Sequence, residues 1–373
     1  MPILPGVPNV HFDFGAVDTL GGALAELEIN RPILVTDEGL VAAGVFDKVT
    51  AAMPVGVDYS VFTGVHENPI IGDVEKGMEV YRTDGCDGVV AIGGGSSIDS
   101  GKAMSLLAGH PGKTLFDFSG QPQNITKSCV PLIAIPTTAG TGSEVSRGAG
   151  IHTDDHTGTL GLGSPYLQPN IAICDPDLTL TLPPFLTAGT GMDVVTHCVE
   201  GYMSKNVNPP AEAVALDGIR RVAAYIERAF KDGSDREARW HMLMAAMQGG
   251  MSILAGLGPI HAVGLALSEQ GHHHGALVTA ATPPVLRFFQ GQEDKKLAYL
   301  AAAMGVGENG DAAQAVADLN ARLELPNAVK NLGYEMKDVD HVTAAAVGSH
   351  FNHTSPKVPT EAEYKQLILE TVG

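Results

Sequence analysis

Basic side chains are scarce in this chain of 373 residues: 23 Lys and Arg stand against 42 Asp and Glu, for a formal charge of -19. No Lys/Arg run offsets the repulsion, which argues against a nucleic-acid or other phosphate-backbone partner. Cysteine is scarce as well. The four present, Cys86, Cys129, Cys174 and Cys198, lie far apart without CxxC spacing; that suits reduced thiols in a cytoplasmic protein and not a disulfide framework. The opening MPILPGVPNV has neither the basic n-region nor the apolar core of a secretory signal, so none is expected. Charge is absent altogether between Arg239 and Glu269, a length that would permit a membrane span. Gln248, His241, His261, Pro259 and five glycines interrupt that run and would leave polar groups in lipid. Two buried helices of an all-helical domain are expected there, with no membrane partner.

What is present is enough apolar material, 44% of the residues, for a core larger than one domain needs. From Val10 to about Pro184, short apolar runs alternate with helical stretches, the pattern of an α/β layer structure. Pro32 to Thr36, Val57 to Phe62, Gly88 to Ile92, Pro131 to Ile135 and Asn170 to Cys174 are the expected strands; helices include Leu20 to Leu27 and Asp73 to Asp84. Runs apolar on both faces imply parallel strands with helices on each side. After Pro183-Pro184 the strands stop, and alanine-rich amphipathic segments follow to the end. Leu216, Ile219, Ala223, Ile226 and Phe230 mark one apolar stripe at helical spacing, a core face. The expected fold is therefore α/β plus all-α: a parallel-sheet domain over 1–184 and a helical domain over 185–373.

Two glycine loops follow expected strands. Gly93, Gly94, Gly95, Ser96, Ser97 and Asp99 come after GVVAI and open a helix from Ser97 to Leu107, so backbone N–H groups can face a phosphate with no Cβ in the way. Neither common regular expression fits. Ile98 stands where GxGxxG needs glycine, and a Walker A loop fails because five residues separate Gly95 from Gly101 and Ala103 replaces Ser or Thr. The second loop, PTTAGTGSE, follows PLIAI and offers the hydroxyls of Thr137, Thr138 and Thr141, suited to ribose and pyrophosphate oxygens. Two such loops at the carboxyl ends of parallel strands mark where an open α/β sheet binds nucleotide. Asp37, after an earlier strand, either accepts both hydroxyls of an adenosine ribose, favouring NAD over NADP, or caps the helix that starts near Glu38.

The helical half carries metal-ligand spacing. Asp193 and His197 are four apart in a helical segment, so their side chains leave one face about a turn apart. His261 and His274 would complete a set of one oxygen and three nitrogens, acceptable to ferrous iron or zinc. An ionised Asp193 among apolar helices is costly without a compensating cation or hydrogen bonds. Cys198, next to a ligand, and Glu200 read as packing and structural residues.

These stretches, GGGSSIDSGK, IPTTAGTGSEVS, DPDLTLTLPP and TAGTGMDVVTHCVEGY, resemble in order and spacing the iron-containing (group III) alcohol dehydrogenase family. The likeness runs from HFDFGAVDTL to HTSPKVPTEAEYKQLI. It implies a Rossmann-like domain followed by a helical domain, the dehydroquinate synthase-like architecture, with a dinucleotide and a divalent metal in the cleft between. It implies metal ligands at Asp193, His197, His261 and His274, and cofactor contacts at Asp37, Gly93, Gly94, Gly95, Ser96, Asp99, Thr137, Thr138 and Thr141. The implied activity is NAD(P)-linked interconversion of a small alcohol and its aldehyde or ketone, in a homo-oligomer such as a dimer. Three positions depart from the family pattern. Leu265 replaces a His near the substrate, the His261–His274 interval is one residue short, and Thr159 stands for a lysine near the cofactor. His272 or His273 is therefore an alternative ligand or a replacement for the missing His, and His273 is a further catalytic candidate. Two rival readings follow: a lyase like dehydroquinate synthase, for which the helical half lacks a matching Lys/Arg set, and a metal- and nucleotide-binding homologue with altered catalysis.

Overall fold

Strands buried on both faces show up as an alternation between two cores. In the computed structural model, which describes residues 6–155 and 158–373, β4 (Gly88–Gly93) sends Val89 and Ala91 to one core and Val90 and Ile92 to the other. The same division holds along β2 (Pro32–Val35) and β5 (Leu132–Pro136). With β1 (Asn9–Phe12), β3 (Ser60–Phe62) and β8 (Ile171–Cys174) they form one parallel sheet, ordered β1-β8-β5-β4-β2-β3. α1 (Leu20–Glu26) and α3 (Val45–Ala51) cover one face. α4 (Ile71–Thr83) and α5 (Gly95–Gly109) cover the other, together with a hairpin of β6 (Gly148–His152) and β7 (Thr159–Gly163). The short α2 (Glu38–Ala42) follows β2.

Three local readings of the sequence need correction. β1 and the β6–β7 hairpin lie outside the expected strands; GAGIH and TLGLG of the hairpin are rich in glycine, a poor strand former, and β1 is only the four residues NVHF. Val57 to Phe62 narrows to the three residues of β3, behind a left-handed Gly56. α5 begins at Gly95 and not at Ser97, so Gly95 and Ser96 belong to its first turn, where the helix N–H groups lack intrahelical partners.

Beyond Leu182 the chain is helical: α6 (Pro184–Met203), α7 (Pro209–Lys231), α8 (Arg236–Ser252), α9 (Pro259–Ala266), α10 (His274–Phe288), α11 (Asp294–Ala303), α12 (Ala312–Arg322), α13 (Val339–Val347) and α14 (Glu361–Val372). One core joins them. Ile219 and Ile226 of the apolar stripe on α7 are fully buried in it, with Leu216 and Phe230 packed alongside. The charge-free run forms α8 and α9, largely buried. Among the described residues no single helix is long and apolar enough to cross a membrane; Arg236–Ala255 and Pro259–Gln270 reach that length only across a bend of 104°. By backbone contacts the described chain divides into Gly6–Thr138 with Gly142–Thr181, and Leu182–Gly373 with Ala139–Thr141.

Candidate metal centre and nucleotide loops

α6 is small and apolar enough to be buried along most of its length, and that burial isolates the two polar side chains at its middle. Asp193 and His197 are 3% and 6% exposed. His261, in the first turn of α9, and His274, the first residue of α10, come from other elements to the same place. The Nε2 atoms of His197, His261 and His274 lie 3.7, 3.9 and 3.9 Å from one oxygen, Asp193 Oδ1. Ligand atoms of Asp193, His261 and His274 all fall within 4.8 Å of one another; His197 approaches Asp193 and stacks its ring on His261 at 4.9 Å.

A cation fits this set on two grounds. One oxygen and three imidazole nitrogens at such separations are donors that Fe2+ or Zn2+ accepts. In addition, His261 Nε2 is buried with no hydrogen-bond partner in the protein, an arrangement that is costly unless something outside the chain satisfies it. The electrostatics agree. Burial works to raise the Asp193 carboxyl, yet the imidazoles of His197, His274 and His261 outweigh it and hold the group below the ordinary carboxylate range. Burial lowers His197 and His274, which favours the neutral ring with a lone pair to donate, while His261 is raised because Glu200 and Asp193 outweigh its burial.

Glu200, read from sequence as structural, is hydrogen-bonded to a member of this cluster. It lies a helical turn beyond His197 on α6 and is 4% exposed. Its Oε2 is 2.5 Å from His261 Nδ1, and its Oε1 accepts the Ile260 N–H at 2.6 Å. A carboxylate at Nδ1 fixes the proton there and leaves Nε2 free to coordinate. The signal was available: D-x-x-x-H-x-x-E puts all three groups on one helix face. Cys198 is buried, with its thiol pushed up to about 12 by that burial, and packs toward Gly218, the inert role expected of it.

The histidine run splits three ways. His274 joins the cluster. His273 sets its ring against Phe185 at 5.8 Å and beside Gly189, with Nδ1 buried and unpartnered. His272 turns toward Tyr334, its Nε2 likewise without a partner. Gly275, next in the chain, brings α10 into backbone contact with α6, since a Cβ there would run into the Gly189 carbonyl. Leu265, where the family carries His, is half-buried on α9 and offers no polar atom.

In the α/β unit the first glycine loop turns sharply at Gly93, whose φ of 146° suits glycine and whose Cβ would meet Ser97 Oγ at 2.5 Å. Gly94, Gly95 and Ser96 then lead into α5. The second loop starts alongside: Thr137 N donates to Gly93 O at 3.0 Å, and the Thr138 side chain lies against Gly94. Asp37 does cap α2, accepting the Leu40 N–H on Oδ1 at 2.8 Å, while its Oδ2 lies beside Gly93. Asp99 is engaged internally, accepting Ser143 Oγ–H at 2.5 Å and Gly150 N–H at 2.9 Å. Thr159, at the family's lysine position, meets His152 Nδ1 at 3.1 Å.

A parallel sheet with glycine loops at its strand ends and a helical unit that gathers Asp and three His describe a nucleotide- and metal-type oxidoreductase. Known sequences agree: the pattern of the iron-containing alcohol dehydrogenases matches residues 8–176, and that of the C-terminal region of the Fe-containing alcohol dehydrogenase family matches 187–372. This chain belongs to the iron-containing alcohol dehydrogenase family. Among its relatives, a 4-hydroxybutyrate dehydrogenase of Cupriavidus necator is 43% identical over 98% of both chains. A 1,3-propanediol dehydrogenase of Citrobacter freundii is 35% identical over 97% of both. The crystal structure of a 1,3-propanediol oxidoreductase superposes with a TM-score of 0.93 at 30% identity, covering 99% of this chain and 100% of that one. A sulfoacetaldehyde reductase from Bifidobacterium kashiwanohense in complex with NAD+ gives 0.91 at 25% identity, covering 100% and 99%. The protein is accordingly an alcohol dehydrogenase, and its family implies a metal.

Proposed function

We propose that this alcohol dehydrogenase is NAD-dependent and holds one divalent cation, Fe2+ or Zn2+, on Asp193, His197, His261 and His274. We propose further that it interconverts a short primary alcohol bearing a second polar terminus, such as 4-hydroxybutyrate or 1,3-propanediol, with its aldehyde. The observation that carries the metal reading is the convergence of three imidazole Nε2 atoms on Asp193 Oδ1, with His261 Nε2 buried and unpartnered. Relatives named for those two substrates, at 43% and 35% identity, support the substrate class.

The chemistry a bound cation supplies is Lewis acidity toward the substrate oxygen. The chain's own residues do the rest. Asp193 contributes the one negative charge of the ligand set, and Glu200 keeps the His261 proton on Nδ1. Backbone N–H groups of Gly93 to Ser96, at the start of α5, would hold the pyrophosphate, and Thr137, Thr138 and Thr141 would offer hydroxyls. Asp37 Oδ2 would accept the ribose hydroxyls and disfavour a 2′-phosphate, which favours NAD over NADP. With Leu265 in place of an imidazole, His273 Nδ1 is the chain's candidate to hydrogen-bond the substrate hydroxyl. Its ring lies against Phe185 and Gly189 of α6, the helix that carries Asp193, whereas His272 is turned to Tyr334.

Metal analysis of protein purified anaerobically, coupled to NADH formation across 4-hydroxybutyrate, 1,3-propanediol and simple alkanols, tests this reading. About one equivalent of Fe or Zn and NAD-linked turnover fastest with the first two are expected. Full activity with no bound metal, or turnover with NADP alone, would defeat it.

A further inference from the structure

Lys102 is the most deeply buried cation of the α/β unit, 0% exposed on the third turn of α5. Its ammonium spends all three protons on neutral oxygens: Ser143 Oγ at 2.8 Å, Ser146 Oγ at 3.0 Å and the Gly148 carbonyl at 2.7 Å. Asp99, a turn earlier on the same helix, lies 3.9 Å from Nζ and takes the Ser143 hydroxyl and the Gly150 N–H. Taking an ammonium and a carboxylate out of water is expensive, and apolar residues would fill the space more cheaply. What hydrocarbon cannot do is hold several acceptors in one arrangement.

The partners of both side chains, acceptors for Lys102 and donors for Asp99, lie on a single stretch, Ser143 to Gly150. That stretch begins in the outgoing limb of PTTAGTGSE and runs on into β6; the incoming limb of this glycine loop is already tied down through Thr137 N to Gly93 O. α5 also carries the first loop at its N-terminus. One helix therefore presents the phosphate-facing N–H groups at its start and, two turns on, grips the segment leaving the second loop.

We infer that Lys102 and Asp99 are positioning residues for the dinucleotide: they fix the second glycine loop in register with the first, and neither needs to touch the cofactor. The inference rests on the NAD reading above. It moves Asp99 from a cofactor contact, as the family resemblance implies, to a support beneath the contact. It also assigns a role to Lys102, which the mechanism does not otherwise use.

The test is Lys102→Met in the metal-loaded enzyme, which keeps the stem and removes the ammonium, with NADH affinity followed by fluorescence. NADH Kd and the KM for NAD should rise about tenfold, while kcat at saturating NAD and metal content stay within about twofold of wild type. Asp99→Asn and Ser143→Ala should show the same split at about threefold, and they carry the test if Lys102→Met does not fold. Folded variants that bind NADH as tightly as wild type would overturn the assignment. So would a parallel loss of NADH affinity, kcat, metal content and Tm, which would mark a purely structural role. Wild-type protein that fails to bind NADH would instead take down the dinucleotide reading, and this inference with it.

Discussion

Two buried polar clusters, one in each unit, differ in a way that separates support from chemistry. Around Lys102 every donor proton has a protein acceptor, and both Asp99 oxygens are occupied. Around Asp193 the cluster stays open: His261 Nε2 is buried without a partner, and three imidazoles crowd one carboxylate. A closed cluster holds backbone in place. An open one is incomplete until something binds, because an unsatisfied buried polar group costs about 1–3 kcal/mol. Arg239 in the helical unit is a second closed case, 1% exposed with its guanidinium spent on Gly233 O, Thr187 Oγ1 and Leu182 O.

Variants that break the contrast rank by what they leave unbalanced. His261→Ala removes a ligand from the open cluster; activity should fall on the order of a thousandfold and bound metal should nearly vanish, read by metal analysis beside NADH formation. Retention of both would show that the cluster does not coordinate. Glu200→Gln leaves four ligands but places an amide N–H against His261 Nδ1, pushing the ring toward the wrong tautomer. Metal affinity should drop about 10–100-fold, and competition with a chelator measures it. An unchanged affinity would return Glu200 to a packing role.

Arg239→Met perturbs a closed cluster, so the loss should appear in stability and not in metal content. Losing the hydrogen bonds to Gly233 O, Thr187 Oγ1 and Leu182 O should cost about 2–4 kcal/mol in denaturant unfolding; a metal-depleted yet equally stable protein would contradict the division. Glu144→Gln should have the smallest effect. Burial pushes this carboxyl from 4.5 to about 7, against its own backbone hydrogen bond and Lys102. An acid whose pKa is raised on folding binds more protons in the native state, so its contribution is fully present below pH 4.5 and is lost as pH rises through about 7. The variant should flatten the fall of Tm across that window. A wild-type slope in the variant would place the titration elsewhere.

Much of this was readable in the residues themselves. Two-sided apolar runs announced the parallel sheet, and D-x-x-x-H with two later histidines announced the cluster, because helical spacing and ligand chemistry are local properties. Other features were not local. The β6–β7 strands hid in glycine, and their pairing is set by packing on α5. Whether His272, His273 or His274 enters the cluster depends on a turn at Gly271 and on the approach of α10 to α6, and no spacing rule reports that. Asp37 shows the opposite limit: it caps α2 and also lies by Gly93, so the two roles weighed for it are compatible.

The meeting of α10 with α6 at Gly275 and Gly189 bears on any attempt to redesign this enzyme. At Gly275 a Cβ would meet main chain beside the ligands, so a library that varies this glycine would mostly sample misfolded scaffolds. Mutational freedom lies instead at Leu265, one helical turn beyond His261 on α9, where a side chain rather than backbone is varied and an altered substrate range can be sought without disturbing the frame.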